Sequence, residues 1–187
     1  TIASGALSGR MKFSSYCIYS VVMSGLIYPI SGHWAWGGGF LQQLGFHDFA
    51  GGGVVHMAGG TAALAGAMIL GPRLGKYNEN RTSNAIQGHS MALSALGVFI
   101  LWIGWFGFNG SSTMGISQSG DLEKVANIFM NTALAGAASG TITLLISWFR
   151  YHKADISMTL NGILAGLVAI TAVSYTHLRA HETDSYL

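Results

Sequence analysis

Five apolar stretches, none with an internal lysine or arginine, constrain this chain more than any other feature: Phe13 to Ile30, Phe49 to Leu70, His89 to Phe108, Val125 to Phe149 and Ile156 to Ala172. A bilayer core about 30 Å thick takes roughly 20 apolar residues per crossing helix. Four stretches come near that length, and the fifth is a truncated one. Backbone groups in lipid must be satisfied within their own segment, which makes each stretch a helix. Pro29 and Pro72 fall at segment ends, where a missing backbone donor does least damage. The expected fold class is all-α, a polytopic transmembrane helix bundle. Half the residues are hydrophobic and only 9% are Asp, Glu, Lys or Arg, against roughly 25% in an ordinary soluble domain. A net charge of +2 supplies no basic surface for a phosphate backbone, so no nucleic-acid partner is expected. The lone Cys17 excludes an internal disulfide and a thiolate metal cluster.

Cations alternate along the connections. Arg10 and Lys12 precede the first stretch, Arg73, Lys76 and Arg81 follow the second, and Arg150 and Lys153 follow the fourth. The two intervening connections hold only Lys124. By the positive-inside rule the Arg10, Arg73 and Arg150 loops face the cytoplasm of a cell membrane. Ser31 to His47, with Trp34, Trp36 and the Gly37-Gly38-Gly39 turn, then lies outside. Asn78 to Gln87 reads as a solvated connection.

The ends need separate treatment. Beginning at Thr1 with no initiator methionine and no basic-then-apolar leader, the chain is expected to be an internal fragment. After Ala172 the text changes abruptly, and the string from Val173 through Thr183 resembles the translated read-through of a transposase adapter used in sequencing libraries. Two regions are therefore expected: 1–172 as a partial membrane domain and 173–187 as a non-native, adapter-like tail. His177 and His181, though spaced i,i+4 like helical metal ligands, belong to that tail and are given no role.

Small residues mark packing faces. Gly52, His56, Gly60 and Ala67 lie at or near i,i+4 steps with Gly59, Ala63 and Gly66 beside them, so this stripe is expected to face protein and to turn His56 inward. Ala133 to Gly140, and Gly162, Ala165 and Gly166, form similar patches and are read as helix packing.

An ionisable group inside or at the mouth of a membrane segment is costly and points to function. Asp48 and His56 are such groups. Eight residues at about 1.5 Å rise place His56 about 12 Å deeper than Asp48, near the bilayer midplane. Its surroundings, Val54, Val55, Met57 and Ala58, favour a neutral imidazole with one donating and one accepting nitrogen. Two readings stay open: a structural bond to a neighbouring helix, or a midplane site that holds a small polar solute or relays its proton. Asp48 alone reads as a cap bonding the amides of Ala50 or Gly51.

The second constellation runs from Trp102 to Ser112. Trp105, Phe108 and Ser112 are spaced i,i+3,i+7 and share a face if the helix continues. Ring faces can hold a desolvated cation at roughly 2 kcal/mol or more, a hydroxyl oxygen can accept one N–H, and Trp36 could add a ring. An interfacial aromatic belt ending in a Gly/Ser helix stop explains the same residues. Asn109 reads as a cap or a helix–helix bond. Elsewhere, His33, His47, His89 and His152 lie at margins, the methionines are scattered as gap-fillers, the glycine triplets lack the lysine of a phosphate cradle, and Ser111 and Ser112 have no His/Asp relay. No enzyme, cofactor or metal site is expected.

Two long motifs occur in order: Asp48-Phe49-Ala50-Gly51-Gly52-Gly53-Val54-Val55-His56 and Gly104-Trp105-Phe106-Gly107-Phe108-Asn109-Gly110-Ser111. Together they resemble the signatures of the ammonium transporter family (Amt/MEP, distantly Rh), and the likeness runs from Thr1 to Leu167. The resemblance implies an eleven-helix fold with an inverted repeat, of which this chain holds the fourth to seventh helices and part of the eighth, assembled as a homotrimer with one pore per subunit. Carried over by position, Trp36, Phe108 and Ser112 match the external recruitment site and gate, Trp105 a nearby pore-lining aromatic, Asp48 the acidic residue behind the site, and His56 the first of two paired pore histidines. The second histidine and the gate phenylalanine that stacks with Phe108 lie in helices this chain lacks. Ser8-Gly9-Arg10 departs from the family's usual acidic residue before the arginine, at a cytoplasmic connection away from the pore.

What the resemblance implies is recruitment of ammonium, its deprotonation, and passage of ammonia through an apolar pore past His56, with a regulator of the PII type a possible cytoplasmic partner. Two alternatives are an ammonium sensor coupled to a C-terminal signalling output and a generic channel for small neutral solutes with a structural His56.

Overall fold

A computed structural model describes residues 1–118 and 120–175. Its helices are α1 (Ser4–Leu7), α2 (Phe13–Val22), α3 (Tyr28–Trp36), α4 (Phe40–Gln43), α5 (Ala58–Leu70), α6 (Met91–Ser111), α7 (Asp121–Tyr151) and α8 (Ile156–Thr171). Two π-helical turns, Met23–Ile27 and Gly52–Met57, join α2 to α3 and lead into α5. An isolated bridge between Tyr77 and Ser83 is the one extended pairing among the described residues. The runs Phe13–Gln43, Gly52–Leu70, Met91–Ser111 and Asp121–Tyr151 are long and apolar enough to cross a membrane, and Ile156–Thr171 is shorter. The all-α reading of the sequence holds. The chain divides into two compact units, Thr1–His89 and Ser90–Leu187.

In the first unit Pro29 does not end a segment, as its place in the sequence suggested; the helical run continues to Trp36. Proline has no N–H, and its ring collides with the carbonyl four residues back. The π turn just before it inserts one residue into the ladder and takes that carbonyl out of register. Tyr28 N–H accordingly reaches the Met23 carbonyl, five residues back. Ser31 to Trp36, expected as a connection, is therefore helical.

The second π turn changes the packing stripe. His56 N–H reaches the Gly51 carbonyl at 3.0 Å, again five residues back, so i,i+4 counting across Gly52–Met57 loses phase. Gly60 is exposed with nothing near it. The packed positions are Gly59 and Gly66, where a side chain would collide with Ile2 and Leu7. These two buttresses come from the N-terminal segment. Two arginines fasten the same end: Arg10 Nη1 donates to the Gly71 carbonyl and Nη2 to that of Ala6, while Arg73 donates to the carbonyls of Ser8 at 3.3 Å and Gly5 at 2.9 Å. Guanidinium groups thus occupy carbonyls that the ends of α1 and α5 leave open.

The second unit is built on the predicted small-residue seam. Gly136, Gly140, Gly162 and Gly166 are all buried. A Cβ on Gly162 would lie 2.6 Å from Thr143 Cβ, one on Gly140 2.6 Å from Ile163 Cγ1, and one on Gly136 2.9 Å from the Trp102 ring. Absent side chains let α7 and α8 touch along their backbones, the arrangement that holds helices together where the solvent is as apolar as leucine. α7 begins four residues before the expected Val125, because Asp121 and Glu123 in its first turn favour the helix dipole. Ser90 caps α6 by accepting from Leu93 N–H at 3.3 Å, and Asp155 caps α8 by accepting from Met158 N–H at 2.9 Å. Beyond Ala172, the carbonyl of buried Ser174 accepts from Asn131 Nδ2 at 3.0 Å, and the Lys124 ammonium stands 5.9 Å from the Tyr175 ring centre. The rest of the tail, His177 and His181 included, lies outside the described residues.

Candidate functional site

Within the first unit, the segment Trp36 to His56 folds around one carboxylate. Asp48 is 4% exposed. Its Oδ1 accepts from Gly51 N–H at 2.9 Å, and its Oδ2 accepts from Gly53 N–H and Val54 N–H, both at 2.8 Å. The capping expected at Asp48 is present but wider than expected. Ala50 takes no part, the formal cap position belongs to Gly51, and the carboxylate reaches the first helical turn from four residues upstream. Three charge-assisted hydrogen bonds together with the positive end of the helix stabilise a buried anion. Gly51 makes the wrap possible: its φ is 106°, a left-handed conformation that side chains rarely adopt. A Cβ there would also stand 2.6 Å from Val55 Cγ2.

Trp36 is tied to the same corner. Its Nε1–H donates to the Asp48 backbone carbonyl at 2.6 Å, while 43% of the residue stays exposed. The indole proton is used internally and the ring remains available. His56 sits half-buried inside the π turn. Because the first residues after Asp48 wrap the carboxylate before the helix starts, the straight α-helical reckoning of its depth does not apply. The structure therefore brings Trp36 and Asp48 into contact and carries His56 onward on the same short element.

Within the second unit, α6 ends in the aromatic cluster. The rings of Trp105 and Phe108 are 5.7 Å apart between centres and inclined by 46°, a tilted aromatic pair. Trp105 Nε1–H donates to Thr171 Oγ1 on α8 at 2.9 Å. Phe108 keeps 39% of its surface exposed. α6 stops at Ser111, and Ser112 follows in right-handed helical conformation, so the expected alignment with Phe108 survives the helix end. The Ser112 hydroxyl donates to the Phe108 carbonyl at 3.0 Å, which leaves its oxygen lone pairs to accept.

Asn109 makes the helix–helix bond that was one of its two readings. Fully buried, it donates from Nδ2 to Thr132 Oγ1 on α7 at 3.0 Å. Beside it Gly110 accommodates the Phe129 ring. Sequence reasoning missed Thr132 and Thr171. A threonine in an apolar helix carries no signal of its own, since its hydroxyl often bonds back to its own helix. The absence of any cluster of three or more His, Cys, Asp or Glu among the described residues neither adds to nor subtracts from this arrangement.

The profile of the Ammonium Transporter Family matches residues 1–177. The chain is 50% identical to the ammonium transporter Amt2 of Archaeoglobus fulgidus, covering 92% of this chain and 38% of that protein. It is 40% identical to the ammonium transporter Amt2 of Haloferax mediterranei, with 93% and 40% covered. Among solved structures, Candida albicans Mep2 superposes with a TM-score of 0.80 at 34% identity, covering 92% of this chain and 37% of that one. The chain thus spans about two fifths of the length of these relatives. On both sequence and fold the chain belongs to the ammonium transporter family, and its long apolar helices are those of an integral, multi-pass membrane protein.

Proposed function

We propose that the protein of which this chain is part transports ammonium across a cell membrane. The observation that carries the reading is the fate of the side-chain protons. Trp36 gives its N–H to the Asp48 carbonyl, Trp105 to Thr171, and Ser112 its O–H to the Phe108 carbonyl. With these protons committed, the chemistry that these residues can show a solute is that of acceptors: aromatic rings and oxygen lone pairs. Ammonium resembles potassium in charge and size but carries four N–H donors, so an acceptor lining favours it through directed hydrogen bonds and cation–π contact.

The roles follow the family resemblance. Trp36, Phe108 and Ser112 recruit the cation, and the Asp48 charge draws it toward the Trp36 corner while holding that corner in shape. Trp105 lines the path below. An unpaired charge in the membrane interior costs at least several kcal/mol, so ammonium releases its proton before ammonia crosses the apolar stretch. His56, with a partner histidine from the rest of the fold, guides the ammonia and relays the proton. The Arg10, Arg73 and Arg150 connections are cytoplasmic in this reading, the protein is a homotrimer with one pore per subunit, and a PII-type regulator binds on the cytoplasmic side. Residues 1–172 are part of the transporter's membrane domain, and 173–187 are a foreign, adapter-derived tail.

The test uses a chimera in which residues 1–172 replace the matching stretch of the Archaeoglobus fulgidus relative. Uptake of labelled methylammonium by cells expressing it is expected, inhibited by ammonium and not by urea or glycerol. Trp36→Ala, by removing a ring worth roughly 2 kcal/mol to a desolvated cation, lowers apparent affinity about thirtyfold. His56→Ala lowers the rate. Uptake left unchanged by both substitutions overturns the assignment.

A further inference from the structure

The hydroxyl of Thr171 stands at a junction that the recruitment residues alone do not explain. Thr171 is fully buried near the end of α8. Its Oγ1 donates to the Leu167 carbonyl at 2.7 Å, one helical turn back, and accepts the Trp105 indole proton at 2.9 Å. The first bond fixes the second: with its own hydrogen committed to a backbone carbonyl that cannot move without unwinding α8, the hydroxyl has only lone pairs to offer, and it offers one to Trp105. An indole has one polar hydrogen, so the Thr171 acceptor sets where the Trp105 N–H points and what chemistry the ring shows beside its contact with Phe108.

We infer that Thr171 is the positioning residue that makes Trp105 an acceptor-only surface, and so a determinant of selectivity for N–H cations. The inference rests on the transport reading above. Without the Thr171 oxygen, the indole proton lacks its buried partner, and a buried unmade bond is costly. The ring then turns until the N–H finds water or solute, which breaks its 5.7 Å tilted contact with Phe108. A donor pointed at the solute path repels a cation that is itself all donors, and it competes with solute for acceptors such as the Ser112 lone pairs. The neighbouring Asn109–Thr132 bond, at 3.0 Å, holds α6 to α7 independently, so loss of the Thr171 acceptor leaves α6 in place and acts on the ring.

The experiment compares Thr171→Val, which keeps the shape and deletes the acceptor, with Thr171→Ser, which keeps the acceptor, in the same chimera. Methylammonium KM and maximal rate are measured per amount of membrane-inserted protein, along with inhibition by ammonium and by potassium. Thr171→Val is expected to raise KM about fivefold, the order of one lost hydrogen bond, and to narrow the preference for ammonium over potassium, with the maximal rate within about twofold of the parent. Thr171→Ser stays near the parent in both. In a Trp105→Phe background, where no indole proton exists, Thr171→Val adds nothing. The inference is overturned by an unchanged KM in Thr171→Val, by equal defects in Val and Ser, by an undiminished Val effect in the Trp105→Phe background, or by a Val variant that fails to insert where Ser inserts. A parent chimera whose uptake ammonium does not inhibit sinks the transport reading itself, whereas a normal parent with a silent Thr171→Val sinks this inference alone.

Discussion

The corner around Asp48 and the end of α6 around Trp105 solve one problem with opposite materials. Both must hold an indole so that its proton is used and its face is kept. At Asp48 the means are local and charged: a buried carboxylate gathers three backbone amides within six residues of chain, and Trp36 docks on the carbonyl of the same residue. At α6 they are remote and neutral: hydroxyls 66 and 23 residues away take the Trp105 and Asn109 donors. A charge-assisted hydrogen bond is roughly twice as strong as a neutral one, and interhelical bonds in membranes average only about 0.6 kcal/mol. The difference teaches that the first corner is fixed by its hydrogen bonds, whereas the second is fixed by glycine-mediated helix packing and is only adjusted by them.

The sharpest way to break that comparison is Asp48→Ala. Three amides lose their acceptor, each loss costing about 1–3 kcal/mol where water cannot enter. The chimera variant is expected to lose about 3–5 kcal/mol, read as failure to insert or as a large drop in the thermal midpoint of the detergent-solubilised protein. Asp48→Asn, whose one acceptor oxygen can serve part of the set, should fall between Ala and the parent. A midpoint unchanged in Asp48→Ala would mean the corner is held by packing after all. Next in size comes Gly51→Ala. The left-handed φ of 106° costs a side chain about 1–2 kcal/mol, and the collision with Val55 adds to it, so a loss of about 2–3 kcal/mol is expected. If Gly51→Ala is as stable as the parent, the wrap around the carboxylate does not need the conformation seen here.

The same contrast explains what could be read from the sequence. Five apolar stretches without internal cations gave every membrane-length helix, because bilayer thickness and backbone satisfaction leave no other choice. The Asp48 cap was legible, since a carboxylate three residues before a glycine run has only nearby amides to bond; its extension to Gly53 and Val54 was not, because it depends on a π turn that no residue announces. Pro29 misled in the same way: its missing donor marks trouble in a helix, but whether the helix ends or bulges is decided by what packs on either side. The Gly162 and Gly166 seam was readable from spacing. Thr132 and Thr171 were not, because their partners are distant in the chain and a hydroxyl has the same composition whether it faces its own helix or another.

The smallest expected effect sharpens the comparison most. Asn109→Ala deletes the bond to Thr132 and leaves a fully buried hydroxyl that can turn back to its own helix. On the average for interhelical bonds in membranes the loss is about 0.6 kcal/mol, and even the largest measured cases reach only about 1.7. The vacated volume at this fully buried position adds a small cavity cost. Thermal midpoints of Asn109→Ala, Thr132→Val and the double variant in the chimera supply the measurement. Each single substitution should cost about 1 kcal/mol or less, and the double little more than either one, because both delete the same bond. A loss at Asn109→Ala as large as that at Asp48→Ala would show that a neutral bond carries the α6 end, and would erase the distinction between the two ways this chain holds a tryptophan.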